Sequence, residues 1–73
     1  MIDEQSKLMS MNEQDRLSWF NRSKAVIHTI GLCVIRINGH LVASGHVEDS
    51  GELIDMWDEF NLAIDGPRIE SRR

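Results

Sequence analysis

The sequence has no carboxylate between Arg16 and Val47, and from Glu48 to Asp65 it has seven carboxylates and no Lys or Arg. It has a single cysteine, Cys33, so no disulfide can staple these 73 residues internally. A domain this short buries only a modest core, which points to self-association or docking on a partner as a further source of stability. One unpaired thiol suits a reducing compartment. Tyrosine is absent, and the four rings present are Trp19, Phe20, Trp57 and Phe60. Their spacing assigns them to apolar helix stripes, which leaves no stacking platform for nucleic-acid bases. The uncharged stretch 25–35 is too short to span a bilayer and is interrupted by His28 and Gly31. The opening Met1-Ile2-Asp3-Glu4-Gln5 has neither a basic n-region nor an apolar h-region, so no secretory signal is expected and the cytoplasm is the expected location.

The pattern that is present predicts a small single α+β domain ordered helix, β-hairpin, helix (α-β-β-α), with two or three antiparallel strands. Residues 1–10 read as a flexible N-terminal arm, 11–66 as the domain, and 67–73 as a flexible basic tail. Ser10 followed by Glu13 matches a capping box, with Asn12 as a rival cap. Trp19, Phe20, Val26, Ile27 and Ile30 share one side of a helical wheel, which predicts a helix over 11–30 that stops at Gly31. The β-branched run 26–30 suits a strand equally well. On that reading the helix ends near Arg22 and a strand precedes the hairpin.

Two apolar-rich runs flank Asn38-Gly39, a pair favoured in two-residue type I′ turns because both positions accept positive φ. Registering the strands on that turn puts Ile37 opposite His40, Ile35 opposite Val42 and Cys33 opposite Ser44 on one face, with Arg36 facing Leu41, Val34 facing Ala43 and Leu32 facing Gly45 on the other. Both faces of that ribbon carry apolar residues, so both require cover. The last element is an amphipathic helix entered through Asp49 or Ser50 and ended by Gly66-Pro67. Leu53, Trp57, Phe60 and Ile64 form its apolar stripe, and Trp57 and Phe60 should be core residues. Glu48, Glu52, Asp55, Asp58 and Glu59 collect on the opposite arc, with Leu62 among them.

That arc is the candidate partner-binding site: Glu48, Glu52, Asp55, Asp58, Glu59 and Leu62. Clustered like charge steers association and suits a basic surface on a partner. A merely solvated helix face has the same composition, but here no Lys or Arg interleaves to form i,i+4 pairs. The sequence shows no catalytic motif, and the chain is too short to wall a deep pocket. Cys33 reads as a packed, inert thiol. A zinc site needs about four convergent ligands, and His40 and His46 lie about 20 Å apart along one strand. No metal, cofactor, small-molecule substrate or membrane contact is expected, and no enzymatic activity.

The expected function is therefore a non-enzymatic acidic protein that binds a larger protein or complex and modulates it, most simply as an inhibitor. Phage- or mobile-element-encoded inhibitors of restriction, CRISPR or host polymerases share this profile, and such a protein would act in the host cytoplasm. Two alternatives stand beside it. One is a nucleic-acid-binding regulator using Arg16, Arg22, Lys24 and Arg36, which the net charge of −4 disfavours. The other is a structural subunit of a homo-oligomer, a homodimer in the simplest case.

Overall fold

The computed structural model describes residues 3–66. Its elements are α1 (Glu4–Met9), α2 (Glu13–Ser23), β1 (Ala25–Ile27), β2 (Leu32–Ile37), β3 (His40–His46) and α3 (Ser50–Asp65). The strands form one antiparallel sheet in the order β1-β2-β3. The domain is α+β, with its helices gathered on one face of that sheet. The basic tail 67–73 lies outside the described residues. Among those described, no helix is long and apolar enough to cross a membrane.

Residues 3–10, expected as part of a loose arm, instead make an anchored helix. Asp3 caps α1: its carboxylate accepts from the Gln5 amide at 3.0 Å and the Ser6 hydroxyl at 3.1 Å. The cap is also latched to the hairpin turn. The Glu4 amide donates to Asn38 Oδ1 at 2.9 Å, and the Asn38 amide donates back to Glu4 Oε1 at 2.7 Å. Asn38 Nδ2 donates to Asp3 at 2.8 Å. These bonds hold Leu8 over the core, where none of its surface is exposed. A six-residue helix is not stable alone, so tertiary contacts make this one.

The cap of α2 is Asn12, whose Oδ1 accepts from the Asp15 amide at 2.8 Å. Ser10 does not form the expected capping box. Its hydroxyl donates back to the Lys7 carbonyl and closes α1. The helix expected over 11–30 ends at Ser23, because Lys24 is extended (φ −61°, ψ 133°). Val26 and Ile27 then pair with Cys33 and Leu32. Here the β-branched preference for a pleated strand prevails over the helical spacing. Gly31, at φ +66°, serves the turn between β1 and β2 rather than a helix end.

Asn38 (φ 54°) and Gly39 (φ 82°) both adopt positive φ, as the hairpin turn requires. The expected strand register holds only for the first two pairs, Ile37 with His40 and Arg36 with Leu41. A bulge then leaves Val42 without a partner, and Ile35 faces Ala43, Val34 faces Ser44, Cys33 faces Gly45 and Leu32 faces His46. The expected pairing of Ile35 with Val42 is therefore wrong by one residue. The cause lies in α3. A Cβ on Gly45 would sit 2.9 Å from the Glu52 carbonyl oxygen, so only glycine fits beneath the first turn of α3. The bulge shifts the phase of β3 and puts Ala43 and Gly45 on the helix-covered face.

The core joins Leu8, Phe20, Cys33, Ile35, Ile37, Ala43, Met56, Phe60 and Ile64. Phe60 is wholly buried, whereas Trp57 is only half-buried and packs against the core from its margin. The expectation that both are core residues therefore holds for Phe60 alone. Phe20 meets Trp57 edge-on at 5.1 Å and Phe60 at 4.9 Å, and Trp19 stacks on Phe60 at 5.8 Å. These ring contacts bind α2 to α3. Strand alternation and pairing place Ile27, Leu32, Val34 and Leu41 on the opposite, helix-free face of the sheet.

Candidate functional site

α3 starts where Asp49 accepts from the Glu52 amide at 3.1 Å. It stays helical through Asp65 because its apolar residues recur at helical spacing over the sheet. Met56, Phe60 and Ile64 point into the core. The opposite arc faces solvent and carries Asp55, Asp58 and Glu59, all exposed. These carboxylates sit three and four residues apart with no base between them, so each neighbouring pair repels by a few tenths of a kcal/mol, ~0.2–0.5. Leu62 lies among them, half exposed.

Two of the six expected site residues are placed differently. Glu48 is exposed but lies in the turn before α3, outside the helical arc. Glu52 turns back to β3: its Oε1 accepts from the His46 amide at 2.7 Å and lies 2.7 Å from His46 Nδ1. The backbone bond from His46 and then the imidazole contact hold the Glu52 carboxyl below the ordinary glutamate range. Glu52 thus caps the end of an edge strand. Sequence reasoning missed Ile54, the most exposed large apolar residue of the helix at 64%. It stands four residues before Asp58 and eight before Leu62, a spacing that could have revealed it. Ile54, Asp58 and Leu62 form one outward row, flanked by Asp55 and Glu59.

The basic residues are not gathered on one surface. Arg16 is buried at 8% exposure. Its Nη1 donates to Asn61 Oδ1 at 2.8 Å and to Asp65 Oδ2 at 2.9 Å. Its Nη2 donates to the Leu8 carbonyl at 2.9 Å and to Asp65 Oδ1 at 3.2 Å. The guanidinium therefore clamps α1 and α3 to α2, and only its Nε is buried without a partner. Lys24 lies 5.4 Å from the centre of the Phe20 ring. Arg22 and Arg36 are exposed, Arg36 on the helix-free sheet face. Among the described residues, no three His, Cys, Asp or Glu converge as metal ligands would. Cys33 is buried in the core.

The Glu52 contact predicts a pH dependence. A carboxylate whose folded pKa is depressed contributes stability above its unfolded pKa and loses it as pH falls through the folded value. Wild type should therefore melt above Glu52→Gln near pH 7, and the gap should shrink as pH falls from about 5 to about 3. Thermal melts across that range check this, and a gap independent of pH contradicts it.

The chain matches no protein-family model, no curated protein and no solved structure.

Proposed function

We propose that this protein is a non-enzymatic binding protein that docks on a larger protein through the outward face of α3 and modulates it. The observation that carries this reading is the row Ile54, Asp58 and Leu62, with Asp55 and Glu59 beside it. Ile54 and Leu62 are 64% and 50% exposed, beside carboxylates that no Lys or Arg of the helix offsets. An apolar centre with a charged rim is the anatomy of a protein-docking patch. The acidic rim speeds encounter with a basic surface, and the two aliphatic residues supply burial. Inhibition is the finer form of the proposal, in the manner of phage- or mobile-element-encoded inhibitors of restriction, CRISPR or host polymerases, acting in the host cytoplasm. Its support is the acidic character of the sequence, at a net charge of −4.

The nucleic-acid alternative has less support, because Arg16 is buried and paired with Asp65. A homo-oligomer has one specific observation in its favour. The helix-free sheet face presents Ile27 and Leu41, 41% and 58% exposed, beside the partly buried Leu32 and the buried Val34. A second copy could cover it. Sedimentation at tens of micromolar should then give a dimer, and a strict monomer there excludes this reading.

Affinity capture from the native host identifies the partner for the central test. Asp55→Lys with Glu59→Lys should weaken binding to that partner at least tenfold and leave the thermal midpoint near wild type, because exposed charges add little stability. Leu62→Ala should weaken it by about tenfold, from roughly 1–2 kcal/mol of lost apolar burial. Association should slow as salt rises past about 0.15 M. Equal affinity of the charge-reversed and wild-type proteins reduces the acidic face to solvated surface.

A further inference from the structure

A groove runs between α3 and the corner where α1 meets α2. Its apolar lining is Met9, Met11, Trp57 and Leu62, and Glu13 and Asp58 stand beside it. Met9 is 56% exposed and Leu62 50%, so both hold apolar surface open to the groove. Trp57 and Met11 are half-buried and join the groove to the core. Among the described residues, the one cation lining it is Arg16, which is buried and neutralised by Asp65 in a two-toothed ion pair. Glu13 and Asp58 have no cationic partner among the described residues.

We propose that this groove seats a large apolar side chain carried by a basic segment of the partner protein. The inference rests on the docking role of α3 and names the chemistry that role selects. Charge complementarity decides the occupant. Among the described residues no base is available there, so an anionic ligand meets only Glu13 and Asp58, and a neutral apolar ligand gives neither carboxylate a counter-charge. A segment with one large aliphatic or aromatic residue between Lys or Arg satisfies both the lining and the rim. Methionine suits such a surface, because its unbranched thioether adapts to different side chains. Asp58 and Leu62 belong both to this groove and to the acidic arc, so one basic partner can engage both.

The test pans a display library of short random peptides against the full chain, then titrates synthetic copies of the enriched peptides against protein labelled at the methionine methyls. Enriched peptides should carry a large apolar residue flanked by Lys or Arg. They should shift the Met9 and Met11 methyl signals and bind less tightly as salt rises. Met9→Gln should weaken them by about tenfold, the loss expected for roughly 1.4 kcal/mol of apolar burial. Met9 is exposed, so that variant should keep the wild-type thermal midpoint.

Several results overturn the proposal. One is failure to enrich any peptide, and another is enrichment of peptides without basic residues. Methyl signals that move with protein concentration alone give the groove to a second copy. Peptides that bind only after Arg68, Arg72 and Arg73 are changed to Gln give it to the chain's own terminal segment. A peptide that loses affinity on Asp55→Lys with Glu59→Lys, yet leaves Met9 and Met11 unmoved, overturns the groove while the acidic face stands. A peptide that shifts Met9 and ignores the arc substitutions supports the groove and counts against the arc.

Discussion

The Arg16 guanidinium is the interaction on which the helical layer depends. Four of its hydrogen bonds reach Leu8, Asn61 and Asp65, so one side chain of α2 holds both α1 and α3. The Leu8 carbonyl belongs to a helix too short to persist by itself. Asp65 ends α3, where a carboxylate is opposed by the helix dipole, and the opposing charge of Arg16 offsets that cost. A bidentate fork also fixes direction, which a lysine in its place could not. The groove beside α3 exists because this clamp holds Met9 and Met11 near Trp57.

The sheet imposes a second constraint. α3 can approach β3 only where β3 has little side chain, and Ala43 and Gly45 supply that approach once the bulge has turned them inward. The same strand is an edge, open to pairing with another chain. Glu52 closes one end of that edge by taking the His46 amide. The hairpin turn serves twice as well. Asn38 adopts the left-handed conformation that the turn requires, and its side chain and amide bind the first turn of α1. The turn, the short helix and the core are thereby coupled.

What could be read from the sequence was what local chemistry decides. Asn38-Gly39 announces its turn because the two residue types alone satisfy the dihedral requirement. The α3 stripe announces itself because four turns of regular spacing leave no competing pattern. The β1 segment was ambiguous for a physical reason: Val26 and Ile27 satisfy a helical stripe and a strand alike, and only pairing with β2 decides. The bulge was not legible, because it brings Gly45 beneath the Glu52 carbonyl, where a Cβ would not fit, and no local pattern encodes that approach. α1 was hidden by its brevity. Arg16 looked like a surface charge because its partner Asp65 lies 49 residues away. On the candidate site, Asp55, Asp58, Glu59 and Leu62 are exposed as expected from the wheel, whereas Glu52 faces β3 because a backbone amide there lacked a strand partner.

The charge segregation along the chain becomes a two-sided molecule. Among the described residues, the α3 arc holds carboxylates without a cationic partner, and the helix-free sheet face carries Arg36 with no carboxylate. Whether that arrangement presents a defined docking surface depends on the helices being held in place, and hence on Arg16. A double-mutant cycle with Arg16→Met and Asp65→Asn, read by urea unfolding, measures this directly. The coupling between the two residues should be about 1–3 kcal/mol, as for groups in one buried network, and each single variant should loosen α1 in hydrogen exchange. Effects that add to within about 0.5 kcal/mol, with α1 as protected as in wild type, would contradict the clamp.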